Sequence, residues 1–172
     1  MQMVKNIFIA LLVFWFSLLL FMPKEALYYA FEKQLESKGI KINEKAIESG
    51  IFSLNLIDAD VYYKGINVAH IEKVNIFTLL FTTNINVKAL TLDASLKAFA
   101  PEKIDQANMT HMIFSPMKVN ILANGSFGDM DGVVDVQERT LRLDFSNTTK
   151  EIDLLRENLK KDEKGLYFET SF

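Results

Sequence analysis

Aspartates at alternate positions are the first residues of this chain whose types and spacing could support chemistry. Asp58 and Asp60 are separated by one residue, so on a β-strand their carboxylates would lie on the same face. Two carboxylates at that spacing could bind a cation or share a proton. The same spacing is also the ordinary water-facing side of a half-exposed strand. We predict the second role, with no catalytic or metal site at these residues.

A second group of aspartates resembles part of a calcium-binding loop. Asp129, Asp131 and Gly132 have the right order, but a third ligand before the glycine is missing. Thr140 stands where the closing glutamate would be. These residues therefore predict a turn between two strands.

The chain has two histidines, His70 and His111, and no cysteine. Neither histidine has a second ligand at a spacing typical of metal sites. Motifs of hydrolases, nucleotide-binding proteins and zinc proteases do not occur in the sequence. We therefore predict a protein that is not an enzyme, with no catalytic residues, no cofactor and no metal.

A long apolar segment near the amino terminus comes before the elements that carry these residues. Residues 7–22 read IFIALLVFWFSLLLFM, and no charged residue lies between Lys5 and Lys24. A bilayer-spanning helix needs roughly 20 apolar residues, and no small-residue cleavage site comes after this segment. We predict an uncleaved transmembrane anchor over residues 1–23; a cleaved signal peptide and a buried core helix are the alternatives. The residues assigned to the anchor are Ile7, Leu11, Trp15, Leu18 and Met22.

Charge and length characterise the part of the chain beyond the anchor. Lys5 precedes the apolar segment, which favours an amino terminus in the cytoplasm and a remainder outside it. That remainder, about 150 residues, corresponds to one domain. The net charge of −3, with dispersed charges, argues against nucleic-acid binding and against polybasic attachment to lipid.

Hydrophobic periodicity divides the remainder into a helix and a β domain. Residues 24–39 have a helical period, and Gly39 is a suitable end for that juxtamembrane helix. From residue 40 onward the period is two, which predicts a β domain over residues 40–172. The alternation changes phase near Leu56 and again near Ala89, which indicates a bulge or a bend. The apolar stripe predicted on the helix is Leu27, Ala30, Phe31 and Leu35.

The predicted fold class is mainly β, within α+β. We expect a transmembrane helix followed by a single curved antiparallel sheet of seven or eight strands, which forms a groove, with one or two flanking helices. The polar interval Pro101–His111 is assigned one or two helical turns, and a late helix is expected near residues 150–164, ended by Gly165. A sheet closed on itself or a two-layer sandwich is the alternative.

One face of this sheet is predicted to be apolar. It is either an ordinary core or a groove open at one side. An open groove could bind an acyl chain, and the edge of the sheet could pair with another protein. The residues assigned to this face are Leu54, Leu56, Val61, Ile85, Val87, Leu92, Val119, Ile121, Val134, Val136, Leu141 and Leu143.

Three segments carry a resemblance to known proteins. Residues 59–92 contain a strand that ends at a glycine turn, an Ile-Glu-Lys-Val step and an Ile-x-Val-x-x-Leu-x-Leu strand. Residues 124–145, NGSFGDMDGVVDVQERTLRLDF, look like successive hairpins, and residues 22–42, MPKEALYYAFEKQLESKGIKI, look like a juxtamembrane segment. Together they resemble the AsmA-like proteins and, by size and single anchor, the type II secretion system protein N family. The resemblance is a pattern of hydrophobic steps without an invariant motif.

The resemblance implies a Gram-negative inner-membrane protein with a periplasmic, curved β-sheet and no catalytic residues. Members are associated with the assembly of secretion complexes or with phospholipid and outer-membrane homeostasis. We therefore predict a non-enzymatic accessory component of a secretion apparatus, whose partners are the membrane and envelope proteins. The alternative is a carrier of lipid or lipopolysaccharide. Lipopolysaccharide-export protein C, an anchored periplasmic protein of similar size, holds acyl chains in a β-jellyroll.

Overall fold

Ten β-strands form one open sheet in the computed structural model, which describes residues 2–79, 81–96, 100–163 and 165–172, apart from the side chain of Leu19. Two α-helices precede the sheet, α1 (Gln2–Phe21) and α2 (Lys24–Glu36). A short 3-10 helix (Ala94–Leu96) and a longer one (Lys150–Asn158), here called the late 3-10 helix, lie between strands. The strands are β1 (Ile40–Ser49), β2 (Ser53–Tyr63), β3 (Ile66–Leu79), β4 (Thr82–Leu92), β5 (Lys103–Met112), β6 (Lys118–Gly125), β7 (Gly128–Asp135), β8 (Thr140–Ser146), β9 (Lys160–Asp162) and β10 (Gly165–Ser171).

The sheet is an antiparallel meander. Strands β1 to β8 follow one another in order, β10 pairs with β8, and β9 lies at the far edge. Every neighbouring pair is antiparallel. Lys64 (φ 48°) and Gly65 (φ 86°) form the two-residue turn between β2 and β3, where a hairpin turn of this length favours positive φ at both positions. The mainly β, open antiparallel architecture is confirmed, with ten strands in place of seven or eight.

Two predicted segments differ from the structure. The polar interval Pro101–His111 belongs largely to β5, because one side of this strand is polar while small side chains such as Ala107 lie on the other. The late helix ends at Asn158, and β9 follows it. Gly165 begins β10 and does not end a helix. Leu80 in the unassigned Phe77–Phe81 segment, and Lys164 in the predicted late helix, lie outside the described residues.

Both predicted phase changes coincide with residues in the left-handed conformation, Asp58 (φ 49°) and Ala89 (φ 50°). Leu54, Leu56 and Ala59 are all buried, so the inward-facing set moves by one residue across Asp58. Pairing between neighbouring strands is interrupted at the same level from β1 to β5, which indicates one continuous irregularity across the sheet. The positions on this line are Lys45, Asp58, Glu72, Ala89 and Asp105.

One face of the sheet, the inner face, carries two rows of apolar residues. Directly paired residues on antiparallel strands project to the same side, so the register defines each row. The first row is Leu54, Ile76, Ile85, Met109, Ile121, Gly132, Leu143 and Phe168. The second row is Leu56, Val74, Val87, Ala107, Ala123, Met130, Phe145 and Leu166. Each row extends across eight strands without a polar side chain.

The opposite side of the sheet, the outer face, is rich in amides. Asn55, Asn75, Asn86 and Asn108 are paired in register on β2 to β5. The Asn75 side-chain amide donates to Asn55 Oδ1 at 2.7 Å. An antiparallel sheet with one apolar and one polar face normally has water on the polar side.

Two helical segments cover the inner face near opposite edges of the sheet. Tyr28 of α2 packs with Leu54 and Leu56 near the β1 edge. Toward the other edge of the sheet, Ile152 of the late 3-10 helix packs with Phe127 and Phe145. The two phenylalanine rings meet edge to face, with their centroids 6.0 Å apart. The sheet therefore has two small cores, one beneath each helical segment.

Helix α1 contains one charged residue, Lys5, and its side chains are largely exposed. Within the residues whose side chains are described, a set that omits Leu19, no helix is both long enough and apolar enough to cross a membrane. The predicted transmembrane span is thus not confirmed.

Glycine at the β6–β7 turn is required by close packing. Gly128 has a φ of 110°, and a Cβ built on it would lie 2.5 Å from the backbone oxygen of Asn147. We expect Gly128→Ala to lower the free energy of unfolding by about 3 kcal/mol through strain and contact. Gly65→Ala is the matched control, because Gly65 has a φ of 86° but open space around it, and should cost about 1 kcal/mol. Urea unfolding of the full chain in detergent, followed by circular dichroism, measures the free energy of unfolding of both variants. Equal losses in Gly128→Ala and Gly65→Ala would contradict this prediction.

Candidate apolar groove

An apolar hollow of about 300 Å³ lies between α2 and the inner face, and we call it the groove. Small-molecule sites are typically apolar hollows of about 300–1,000 Å³, so the groove is at the small end of that range. Its lining includes Lys24 and Thr78. The apolar residues around it are Met22, Leu27, Tyr28, Phe31, Leu54, Ile76 and Ile85.

Tyr28 holds α2 against the sheet. Its side chain is 6% exposed and packs on Leu54 and Leu56. Its hydroxyl donates to Glu44 Oε2 on β1 at 3.0 Å, so the buried polar atom is satisfied. Burial, and then the neighbouring Glu44 carboxylate, raise the pKa of Tyr28 well above its usual range. The hydroxyl therefore stays neutral at any pH that the protein meets.

Three of the four residues of the apolar stripe predicted on this helix are exposed, and the fourth, Leu35, is half-buried. Leu27 and Phe31 are 49% and 55% exposed, and Ala30 is also exposed, while Tyr28 is the buried residue of the helix. An aromatic side chain with a polar tip fits this position because it covers the sheet and reaches Glu44. Leu27 and Phe31 are left beside the groove, where they offer apolar surface that the described chain does not cover.

The groove adjoins the apolar surface of α1. A second apolar hollow of about 320 Å³ lies along the end of α1, among Trp15, Leu18, Phe21, Met22 and Pro23. Met22 belongs to both hollows. Phe16 of α1 also contacts Phe52, just before β2, with ring centroids 5.8 Å apart. A chain-like apolar ligand could therefore run from the surface of α1 into the groove.

The register places most residues of the predicted apolar face on one side of the sheet. Leu54 and Ile85 line the groove itself. The assignment of Val136 is wrong, because this residue lies beyond the end of β7, in a turn, and is 48% exposed. The remaining predicted residues share the inner-face register: Leu56, Val61, Val87, Leu92, Val119, Ile121, Val134, Leu141 and Leu143. Sequence periodicity does not assign Met22, Tyr28 or Phe31 to this site, because the docking of α2 decides their place.

The residues that could support chemistry are not brought together. Asp58 Oδ2 lies 3.4 Å from Lys45 Nζ, and Asp60 Oδ1 lies 2.8 Å from His70 Nδ1. Asp129, on β7, accepts a hydrogen bond of 2.7 Å from the Asn147 side chain. His111 lies on β5, within the interval predicted to be polar and partly helical. Among the described residues, no group of three histidine, cysteine or acidic side chains is arranged to bind a metal ion.

Searches for similar proteins found no match. No family model matches the chain, and neither a curated protein nor a solved structure matches it. The resemblance to AsmA-like proteins and to type II secretion system protein N therefore stays a prediction.

The docking of α2 should depend on Tyr28 more than on its neighbour. We expect Tyr28→Ala to lower the free energy of unfolding by about 3 kcal/mol, because it removes a buried ring and leaves a cavity. Tyr29 is 51% exposed, and its ring centroid lies 5.6 Å from that of Tyr28. Tyr29→Ala should therefore lower the free energy of unfolding by only about 0.5–1 kcal/mol. Thermal and urea unfolding of both variants test this, and equal losses would show that α2 is not held by Tyr28.

Acidic residues make the α2 contact sensitive to pH. Burial, then the carboxylates of Glu44 and Glu36, raise the pKa of Glu32. The folded protein thus holds this proton more tightly than the unfolded chain, so stability increases as pH falls through that raised pKa and is lower above it.

Glu32→Gln should remove this pH dependence and stabilise the protein at neutral pH by roughly 0.5 kcal/mol, the scale of a like-charge pair one helical turn apart. Glu157→Gln, an exposed change in the late 3-10 helix, is the control. Melting temperatures between acid and neutral pH measure the effect. If the melting temperature of Glu32→Gln changed with pH as steeply as that of the wild type, Glu32 would not be the source of this pH dependence.

Proposed function

We propose that this protein is a non-enzymatic, membrane-attached β-sheet protein that holds the acyl chain of a lipid in the groove. The observation that carries the proposal is the apolar hollow between the half-exposed side of α2 and the inner face. A linear hydrocarbon is the ligand that fits such a lining, since each buried methylene contributes about 0.8 kcal/mol without a hydrogen-bond partner.

The polar residues of the groove fit a lipid headgroup. Lys24 and Thr78 are its two polar side chains, and Lys24 directly follows the α1–α2 connection. A lysine in the lining of an apolar hollow suits a phosphate or carboxylate at the end of an acyl chain, because its ammonium group can bind the anion. The proposed ligand is therefore an anionic lipid with its chain along the inner face.

Membrane attachment through α1 is part of the proposal. Phe8, Leu11 and Phe14 are 67%, 61% and 63% exposed, which leaves a continuous apolar surface without protein cover. Apolar surface of this extent marks a membrane or protein contact. The proposed location is a bacterial inner membrane, with the amino terminus in the cytoplasm and the sheet in the periplasm, as the single lysine before the apolar segment favours.

A second candidate function is that of an accessory component of a secretion apparatus. It is favoured by β1, a ten-residue strand at the edge of the sheet that pairs only with β2 in the described structure. A long edge strand can pair with a strand of another protein. An accessory role would be supported if a defined envelope protein co-purified with the wild type. That protein should no longer co-purify with Ile42→Pro, which blocks this edge.

Filling the groove should displace the lipid. Ile85 faces the groove, whereas the adjacent Asn86 lies in the amide row of the outer face. We expect Ile85→Trp to reduce the lipid that co-purifies with the protein about tenfold, a change of about 1.4 kcal/mol. Asn86→Trp, the control of equal bulk on the same strand, should retain it.

Mass spectrometry of lipid extracted from the full chain, purified in lipid nanodiscs and stripped of bulk lipid, gives the readout. Circular dichroism checks that both variants fold. Equal lipid content in the wild type and in Ile85→Trp would overturn binding in the groove.

A further inference from the structure

Three turns at one end of the sheet present apolar side chains to solvent. We call this the proximal end; the β1–β2, β3–β4 and β5–β6 turns lie side by side there and are called the three proximal turns, and the β7–β8 turn follows them at the same end. Each turn contributes at least one large, exposed apolar residue. Phe114 is the most exposed of them, at 80%. The set is Ile51, Phe81, Met112, Ile113, Phe114 and Met117.

These turns are joined into one surface. Thr78 N donates to Phe52 O at 2.8 Å, and Ile113 N donates to Phe81 O at 2.8 Å, so backbone hydrogen bonds link each turn to the next. The Phe81 and Phe114 rings contact each other, with centroids 5.3 Å apart. Three turns that are each small therefore form a single apolar rim.

Charge is distributed unequally among the turns of the sheet. The β7–β8 turn, at the proximal end, carries Glu138 and Arg139. Residues 49–57, 74–87 and 106–117, which contain the three proximal turns, include no lysine, arginine, aspartate or glutamate. The connections at the opposite end carry charges, among them Lys64, Asp93 and Glu102. An apolar rim without charge suits the boundary between lipid headgroups and acyl chains.

The position of α1 identifies the occupant of this rim. Phe16 of α1 contacts Phe52 in the β1–β2 turn, so the apolar helix lies against the proximal end. Two residues, Met22 and Pro23, connect α1 to α2, so the sheet stays close to whatever surrounds α1. The groove also reaches this end, because its lining includes Thr78, which pairs with Thr83 beside the β3–β4 turn.

We infer that the proximal end docks on the surface of the lipid bilayer, with Ile51, Phe81 and Phe114 at the headgroup level. This contact is additional to α1. It rests on the proposed attachment to a membrane, but it requires neither that α1 enters the bilayer nor that a lipid binds in the groove. It orients the strands end-on to the membrane, so that the groove opens toward the lipid.

The absence of cysteine allows the contact to be mapped with single labels. Phe114→Cys places a label on the rim, and Ile66→Cys is the matched control, since Ile66 is 65% exposed at the start of β3, at the opposite end. Leu11→Cys reports on α1. Each full-length variant carries an environment-sensitive fluorophore and is reconstituted into vesicles of phosphatidylcholine and phosphatidylglycerol that contain lipids spin-labelled near the headgroup.

We expect the label at Phe114 to shift its emission to shorter wavelength and to lose most of its fluorescence to the lipid quencher. The label at Ile66 should keep its emission and nearly all its intensity. Equal, solvent-like behaviour at both positions would overturn the docking. A blue shift at Phe114 without lipid quenching would also overturn it, because a protein surface or a second copy would then cover the rim.

The label at Leu11 separates this inference from the proposed anchor. Quenching at Leu11 but not at Phe114 leaves the anchor in place and rejects the docking. Quenching at Phe114 without quenching at Leu11 supports the docking and rejects the anchor.

Discussion

The cross-strand register of the meander is the constraint on which the rest of this structure depends. Because side chains alternate with a period of two, a slip of one residue in any strand would turn its apolar set to the opposite face. Two apolar rows nevertheless cross eight strands, from Leu54 to Phe168 and from Leu56 to Leu166. Where Asp58 shifts the phase of β2, Ala89 shifts that of β4 at the same level, so neighbouring strands stay matched.

A sheet that is apolar over its whole width needs a cover of the same width, and the described chain supplies two partial ones. Tyr28 and Ile152 bury the inner face at two places, and no large side chain of the described residues is fully buried. Between the two covers the first row passes through Ile85, Met109 and Ile121, which are only half-buried. A ligand that extended along this row from the groove would bury apolar surface that the fold leaves in contact with water.

The sequence predicts the β domain well where the alternation is made of large residues. Leu54, Leu56, Ile85 and Val87 lie on the face predicted for them, and both phase changes are visible in the sequence as shifts in that alternation. The sequence pattern does not predict strand β5. The buried residue of this strand, Ala107, is small and the residues beside it are polar, so little hydrophobic contrast remains.

The groove and the rim depend on contacts that no local pattern contains. The periodicity of α2 favours Leu27 and Phe31 as the buried stripe, but the hydrogen bond to Glu44 and the shape of the sheet select Tyr28. Ile51, Phe81 and Phe114 are about thirty residues apart in sequence, and only the pairing of successive hairpins places them at one end. Since the groove lining and α1 both reach that end, the proposed arrangement would let a lipid pass between bilayer and sheet without crossing water. An antiparallel meander suits this arrangement because it returns a turn to the same end at every second strand, and the three proximal turns add apolar contacts at the same level.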